Sequence, residues 1–350
     1  MSVASGPARV RWHRRARSRW FLPWIVIALL AVSLLPNDAA TQAPDKVTLQ
    51  LKWVTQAQFA GYYAAKAKGF YTAENLDATV RPGGPDIVPE QVVAGGGAQF
   101  GIDWLPSLLS AREQGAPLVN IGQVFAHSGM REIAFKSSGI KGAADLRGRR
   151  VAVWFGGNEF ELLATLEKYK IDRNKDVTLV QQPFDMNLLL QKQVDAAAAM
   201  TYNEYRQVLD AGVKPDDLVV IDFNREGTAM LEDGIFVRGD WLRDAKNKQI
   251  AARFLRASLK GWEFCRDKPT ECVEIVLKES PVLGREHQVW MMTEINKLVW
   301  GPPAPKSPLG KMDPAAFKQT ADIALKFGVI KKAAEPGAYT HEIWEMAQKK

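Results

Sequence analysis

Histidine and cysteine are scarce in this chain. Of its 350 residues, four are histidine and two are cysteine. His127, His287 and His341 stand apart from one another and from any Ser or Cys nucleophile, and His13 lies in the first forty residues. A zinc site needs several ligands at short spacing, and nucleophilic catalysis needs a nucleophile beside a base. The sequence therefore predicts no catalytic residue and no metal site.

Fingerprints of nucleotide and nucleic-acid binding are also missing. Neither the dinucleotide pattern G-x-G-x-x-G nor a glycine-rich loop ending in Gly-Lys-Ser/Thr occurs, and there is no G-x-S-x-G nucleophile elbow. Residues 1–40 contribute +5 of the formal net charge of +7, which leaves only +2 for residues 41–350. Basic residues do not form a stripe with aromatic ones, so we expect neither a cofactor nor a nucleic-acid partner.

The first forty residues predict an export leader. Six arginines precede an apolar run at 21–35, which is followed by Pro36 and small residues. As a helix this run rises only ~22 Å, short of a ~30 Å hydrocarbon core. We expect a signal peptide at 1–40, cleaved near Ala39, Ala40 or Ala43, and an uncleaved membrane anchor is the alternative. No other stretch of the sequence approaches membrane-spanning length.

The two cysteines, Cys265 and Cys272, allow two states. On one unbroken helix they would be ~10.5 Å apart, too far for a disulfide. Pro269 lies between them and is expected to break that helix, which can bring the thiols together. A disulfide, as exported proteins favour, and a pair of buried free thiols both stay open.

The body of the chain alternates between strand-like and helix-like segments. An apolar–polar alternation at 46–53 is followed by a helical segment at 59–68, and the same cycle restarts at 151–155. No repeat, low-complexity run or Gly/Ser-rich linker interrupts the pattern, and long helical segments follow residue 248. The sequence predicts the α/β class, with two α/β lobes joined by crossing strands and a helical tail that returns to the first lobe.

Ligands of open α/β sheets bind beyond the carboxyl ends of the strands, so the residues that follow each predicted strand are the candidates. Four strand ends carry aromatic rings, amides, carboxylates and glycines, and no lysine or arginine joins them. This combination suits a flat, neutral or cationic heterocycle better than a sulfonate or phosphate. The predicted ligand-binding residues are Trp53, Gln56, Gln58, Phe59, Asp103, Trp104, Gly156, Gly157, Asn158, Tyr202, Asn203 and Glu204.

Each of these residues also has a purely structural interpretation. Trp53 at a strand end fits a core equally well. Asn158 and Asn203 can be helix N-caps, with Glu204 responding to the helix dipole. The recurrence of the same side chains at four strand ends favours a ligand cleft.

Several segments resemble one family, in the same order along the chain. They are KWVTQAQFAGYYAAKAKGFYTAENLDATV, VVAGGGAQFGI, GIKGAADLRGRRVAV and GIFVRGDWL. Over roughly residues 46–280 the chain resembles the thiamine-pyrimidine-synthase-like solute-binding proteins of ABC importers. The resemblance implies a type II periplasmic-binding-protein fold, in which two lobes close over a ligand. Relatives take up thiamine pyrimidine precursors, riboflavin, aliphatic sulfonates, taurine or nitrate.

The resemblance also carries residue roles. The pyrimidine-precursor branch has a Trp-x-Pro-Asn-x-Asn-His-x-Gly segment, which becomes WVTQAQFAG here, and an Asn-Tyr-Glu segment, which TYNEY resembles. It implies that Trp53 stacks on the ligand and that Glu204 is a hydrogen-bonding acid. Gln56 and Gln58 replace the asparagines and Phe59 replaces the histidine, so the ligand itself stays open.

The resemblance predicts a periplasmic protein that captures a small nitrogen heterocycle, such as a thiamine pyrimidine precursor, by hinge closure. We expect a monomer that delivers this ligand to an ABC permease in the inner membrane. A sulfonate, taurine or nitrate binder of the same fold is the alternative, followed by a pyrimidine synthase and a membrane-anchored sensor subunit. Lobe one is expected at 46–134 plus 238–350 and lobe two at 135–237, with crossings near 133–137 and 234–238.

Overall fold

The computed structural model describes residues 43–155, 157–302 and 304–349. The predicted signal peptide at 1–40 and the predicted site residue Gly156 lie outside the described residues. From Pro44 onward the chain forms one compact unit. Within the described part, no helix is long and apolar enough to cross a membrane.

Two five-stranded sheets organise this unit. The strands of the first sheet are β1 (Asp45–Gln50), β2 (Leu76–Arg81), β3 (Phe100–Asp103), β4 (Leu118–Gln123) and β10 (Gly234–Arg238). Their order is β2-β1-β3-β10-β4. β1 runs parallel to β2 and β3, whereas β10 runs antiparallel to β3 and β4. The carboxyl ends of β1 and β3 therefore lie at one edge of the sheet.

The second sheet repeats this arrangement. Its strands are β5 (Met130–Phe135), β6 (Arg150–Val153), β7 (Thr178–Gln181), β8 (Ala196–Met200) and β9 (Leu218–Asp222). They are ordered β7-β6-β8-β5-β9, with β6 parallel to β7 and β8, and β5 antiparallel to β8 and β9. In both sheets one antiparallel strand is inserted at the fourth place, so the two sheets share one topology.

The chain passes between the sheets at 124–129 and again at 223–233. The sequence places these crossings near 133–137 and 234–238, several residues too late. All of β5 pairs within the second sheet and all of β10 within the first, so the crossings occupy the loops that precede these strands. The boundaries between the two sheets therefore lie in these loops and not at 134/135 and 237/238. Which residues move together when the lobes close stays a prediction.

Helices cover both sheets, and α9 is the longest one described. The helices are α1 (Ala60–Ala67), α2 (Phe70–Ala73), α3 (Pro89–Ala94), α4 (Leu105–Glu113), α5 (Phe160–Lys168), α6 (Asn187–Leu190), α7 (Glu204–Asp210), α8 (Phe223–Glu226), α9 (Ala245–Asp267), α10 (Pro269–Glu279), α11 (Arg285–Trp300), α12 (Pro314–Lys326) and α13 (Glu342–Gln348). Asp244 begins α9 by accepting hydrogen bonds from Lys246 N and Asn247 N. α9 packs on α1, where a side chain at Gly261 would overlap the Gly61 carbonyl. This close approach anchors the residues just before α1.

Aromatic rings fill the core between the first sheet and α9. The rings of Phe100 and Phe254 stack with centroids 3.8 Å apart, and Tyr71 stacks on Phe254 at 5.2 Å. Tyr62 meets Trp262 edge to face at 5.6 Å. Such pairs contribute ~0.5–1.5 kcal/mol each beyond the burial of their area. The core therefore gives the strand ends of the first sheet a rigid base.

Cys265 and Cys272 form a disulfide across the corner between α9 and α10. Lys268 leaves the helical conformation with φ −134° and ψ 56°, and Pro269 begins α10. The corner brings the two Cα atoms to 5.3 Å, within bridging distance. Of the two states that the sequence leaves open, the structure holds the disulfide.

Candidate ligand-binding cleft

A small cavity lies where strand ends of the two sheets face each other. Its volume is about 20 Å³, room for roughly one water molecule. β1 of the first sheet leads directly into it, as do β6 and β8 of the second. The lining residues are Lys52, Trp53, Gln56, Gln58, Trp154, Asn158, Met200, Tyr202, Asn203 and Glu204. The cleft in this structure is therefore closed and filled by its own side chains.

Seven of the twelve predicted residues line this cavity, namely Trp53, Gln56, Gln58, Asn158, Tyr202, Asn203 and Glu204. Among the described residues, Phe59, Asp103, Trp104 and Gly157 do not line it, and Gly156 lies outside the described residues. Phe59 and Trp104 are fully buried in the core, where aromatic residues that follow a strand can equally pack. Asp103 lies behind Lys52, and Gly157 packs against Ser107, whose hydroxyl donates to the Gly157 carbonyl at 3.3 Å. In this structure these four residues therefore lie outside the lining of the cavity, and their contact with a ligand stays a prediction.

A lysine lies in the cleft, contrary to the expectation that no basic residue joins the site. Lys52 is only 6% exposed, and its Nζ donates to Asp103 Oδ1 at 2.6 Å and to Asn158 Oδ1 at 2.7 Å. The ammonium group also lies 4.5 Å from the centroid of the Trp104 ring. Lys52 lies two residues after the end of β1, at a position where the alternating pattern indicates a polar side chain facing solvent. Its burial is explained by partners that are distant in sequence, above all by the buried carboxylate of Asp103, 51 positions away.

Glu204 is a buried carboxylate at the start of α7. Its Oε2 accepts from Met200 N at 3.0 Å and its Oε1 accepts from Asn203 Nδ2 at 2.6 Å. Burial raises the pKa of the Glu204 carboxyl to about 7, although both hydrogen bonds oppose the shift. Asn203 is itself fixed by His287 of α11, because the Asn203 carbonyl accepts from His287 Nε2 at 2.7 Å. His287 thus supports the site from behind, a role that its isolated position in the sequence does not reveal.

The two cleft glutamines are connected to a second buried carboxylate. Gln56 Nε2 donates to Gln58 Oε1 at 2.8 Å, and Gln58 Nε2 donates to Asp233 Oδ2 at 2.8 Å. Asp233 directly precedes β10 and is 2% exposed. Burial raises the pKa of the Asp233 carboxyl to about 6, with the charge of Lys52 opposing this shift. The sequence gives no signal for Asp233, because it precedes rather than follows a strand.

Trp53 contacts aromatic rings of the second sheet. Its ring centroid lies 6.1 Å from that of Trp154 and 5.0 Å from that of Phe184. Tyr202 also lines the cavity, but its ring meets Phe125 at 6.4 Å. Sequence reasoning missed Trp154 because the predicted strand 151–155 includes it, whereas β6 ends at Val153 and Trp154 follows it. The aromatic part of the cleft is thus a cluster that spans both sheets.

A third acidic cluster ties the two crossing segments together. Ser128 Oγ lies 3.0 Å from Glu161 Oε2 and 2.6 Å from Glu232 Oε1. A hydroxyl has one hydrogen, so two such contacts require a proton on one of the carboxyl groups. Burial raises the pKa of Glu232 to about 7 and that of Glu161 well above its usual value. Ser128 and Glu232 belong to different crossings, so this shared proton lies at the junction of the sheets.

A larger cavity of about 500 Å³ lies elsewhere, between both crossings and the segment around α12. Its volume would accommodate a small molecule. None of the predicted site residues lines it, and the strand ends that it meets are those of the edge strands β4 and β9 rather than those of β1, β6 and β8. We therefore take the smaller cavity as the ligand cleft. In the described residues, no group of three or more His, Cys, Asp or Glu side chains is arranged to hold a metal ion.

Comparison with known proteins gives a family and a set of relatives. The family described as NMT1/THI5 like matches residues 56–272, more than half of the chain. The riboflavin-binding protein RibY of Chloroflexus aurantiacus is 27% identical over 260 residues, which cover 70% of this chain and 72% of RibY. The formylaminopyrimidine-binding protein of Halalkalibacterium halodurans is 24% identical over 265 residues, covering 72% and 78% of the two chains.

An enzyme and a structural neighbour complete the comparison. The 4-amino-5-hydroxymethyl-2-methylpyrimidine phosphate synthase of Legionella pneumophila is 27% identical over 266 residues, covering 70% of this chain and 77% of the synthase. The periplasmic aliphatic sulphonate binding protein SsuA of Escherichia coli superposes with a TM-score of 0.61 at 17% identity, covering 83% and 90%. At that identity the likeness establishes the fold alone. The chain belongs to the NMT1/THI5-like family and has the two-lobed periplasmic-binding-protein fold.

Proposed function

We propose that this protein is the solute-binding component of an ABC importer and that it captures a flat nitrogen heterocycle of the aminopyrimidine type. The observation that carries the proposal is the cavity itself. Aromatic rings, amides and a buried carboxylate converge on it from both sheets. Such a lining holds a planar ring by stacking and orients it by hydrogen bonds.

The charges around the cavity favour a donor-bearing ligand over an anion. Among the described residues that line the cavity, Lys52 is the only basic side chain, and Asp103 neutralises it at 2.6 Å. Glu204 and Asp233 add further buried carboxyl groups. An anionic sulfonate or nitrate would meet this acidic surrounding without a free cation, whereas an amino group or ring N–H would find acceptors. A sulphonate, the ligand class named for SsuA, is therefore our second candidate for the ligand of this protein.

Closure of the cleft supplies the mechanism. The Lys52–Asn158 hydrogen bond and the Trp53–Trp154 contact each join a loop of the first sheet to a loop of the second. A cavity of about 20 Å³ cannot hold a six-membered ring, so binding requires the two sheets to separate and close again around the ligand. Contacts of this kind exist only in the closed state, and a ligand that strengthens them shifts the population toward it.

The proposal places the protein in the periplasm as a monomer that delivers its ligand to a membrane permease. Two relatives named as binding proteins support a transport role. The relative named as a synthase keeps an enzyme as the competing class. Against the enzyme, the position where the family pattern carries histidine is Phe59, which is buried in the core.

A thermal-shift and calorimetry panel on residues 44–350 tests the proposal. The panel contains 4-amino-5-hydroxymethyl-2-methylpyrimidine, riboflavin, taurine and nitrate. A bound ligand at 100 times its Kd adds ~2.7 kcal/mol of stability, which is readily measured. We expect the aminopyrimidine to stabilise the protein. Stabilisation by taurine or nitrate alone would overturn the ligand class, and formation of the pyrimidine phosphate by the purified protein would overturn the transport role.

A further inference from the structure

The chain of hydrogen bonds from Asp233 to the cavity has a fixed direction. An ionised carboxylate can only accept, so Gln58 must turn its NH₂ group toward Asp233 Oδ2, 2.8 Å away. The Gln58 carbonyl then points to Gln56, whose NH₂ group donates to it at 2.8 Å. Asp233 thereby fixes the orientation of the Gln58 amide, and Gln58 fixes the orientation of the Gln56 amide.

The last amide in this chain faces the ligand site. Gln56 lines the cavity, and its NH₂ group already donates to Gln58. Among the described residues, no hydrogen bond to the side-chain oxygen Oε1 of Gln56 is found, and this atom is not among the fully buried atoms that lack a partner. It is therefore the acceptor that Gln56 has left to offer in the cavity.

We propose that Asp233 is a positioning residue that sets the hydrogen-bond polarity of Gln58 and Gln56, so that the cleft selects rings carrying an amino donor, rather than a carbonyl, at the edge position that faces Gln56. This inference rests on the proposed function and names the ligand edge that the site reads. A ring with a carbonyl at that edge would place two acceptors together and lose the hydrogen bond. Buried polar sites reject such analogues strongly because their own groups are left unpaired.

The backbone at position 233 permits a mild test. Asp233 has φ 46°, in the left-handed region that asparagine tolerates as well as aspartate. In D233N the new amide can show Gln58 either its oxygen or its NH₂ group, so both directions of the chain become accessible. In the double variant Q58E/D233N, the carboxylate introduced at position 58 can only accept, and Gln56 must again donate toward it. The double variant therefore restores the direction without restoring Asp233.

Calorimetry at pH 8 measures the ratio of affinities for 4-amino-5-hydroxymethyl-2-methylpyrimidine and its 4-oxo counterpart, in which donor and acceptor are exchanged. We expect the wild type to prefer the amino compound at least about tenfold. D233N should bring this ratio close to one, and Q58E/D233N should return it toward the wild-type value. D216N removes the same charge at an exposed residue outside the cleft and should leave the ratio unchanged.

The outcomes distinguish a failure of this inference from a failure of the proposed function. If D233N weakens both ligands equally and keeps the ratio, Asp233 is only structural and the inference is overturned. The same holds if D233N lowers the ratio and the double variant fails to restore it while both variants melt cooperatively. If the wild type binds neither pyrimidine, the proposed function falls and this inference falls with it.

Discussion

The two walls of the cleft hold their polar groups in different ways. The wall from the first sheet is a network of buried charges, in which Lys52 is paired with Asp103, and Gln58 with Asp233. Among the described residues of the wall from the second sheet, no such ion pair is found at the centre. There Glu204 is held by a backbone N–H and by Asn203, which His287 supports. The first wall depends on charge compensation, whereas the second holds one titratable acid at the surface of the cavity.

The largest expected effect comes from removing the cation of the first wall. In Lys52→Met, Asp103 would be left buried without its counter-ion. Breaking a buried pair in this way costs ~3–5 kcal/mol, so we expect the free energy of unfolding in urea to fall by that amount. The double variant Lys52→Met/Asp103→Asn should recover most of the loss. A single variant as stable as the wild type would mean that the pair contributes nothing to this wall.

The buried acid of the second wall should make the free energy of unfolding depend on pH. The pKa of Glu204 is about 7 in the folded protein against an ordinary value of 4.5. Between these pH values the folded state therefore binds more protons than the unfolded state. The stabilisation that protonated Glu204 gives to the folded state is complete below about pH 4.5 and is lost as the pH rises through about 7. At ~1.4 kcal/mol per pKa unit the loss reaches ~3 kcal/mol. Asp233 and Glu232, with raised pKa values of about 6 and 7, add to the same trend.

Urea titrations at pH 5 and pH 8 check this trend. The wild type should be more stable at pH 5, and Glu204→Gln should reduce the difference because it removes one of the titrating groups. Asp216→Asn, at an exposed position, should leave the difference unchanged. Equal stability of the wild type at both pH values would show that Glu204 is solvated in the folded state.

Sequence reasoning found much of the second wall and only part of the first. The rule that ligands bind beyond strand ends located Asn158 and Glu204, since β6 and β8 are evident from their apolar runs. Lys52 and Asp233 were missed for one physical reason. Their burial depends on partners 51 and 175 positions away in the chain, which only the sheet order brings together.

For the aromatic residues, the prediction included side chains that do not line the cavity. Phe59 and Trp104 follow the same strand ends as Trp53, yet they pack into the core. A strand end supplies side chains to both the cleft and the layer beneath it, and composition does not distinguish the two. The α/β class and the two-lobed arrangement were predictable, because alternation and strand–helix cycles are local, and the crossings were displaced by only a few residues.

Ligand binding should respond next most strongly to the acid of the second wall. A hydrogen bond to a charged group contributes ~1.5–3 kcal/mol, so Glu204→Gln should weaken binding of the aminopyrimidine by roughly 10- to 150-fold. Calorimetry at pH 8, where Glu204 is ionised, measures this directly. An anionic ligand would behave in the opposite way, because loss of a nearby negative charge would tighten its binding. The sign of the effect thus decides between the two ligand classes.

The smallest expected effect comes from the ring that bridges the walls. Trp53→Ala should weaken binding about 2- to 10-fold, corresponding to the ~0.5–1.5 kcal/mol that an aromatic contact adds beyond area burial. Phe184 is the matched control, because it touches Trp53 at 5.0 Å but is 46% exposed and does not line the cavity. Phe184→Ala should therefore change the affinity less than Trp53→Ala. If the two variants lose affinity equally, Trp53 acts only through its aromatic neighbours. If Trp53→Ala binds the ligand like the wild type, the Trp53 ring belongs to the core, and stacking on the ligand must come from Trp154 or Tyr202.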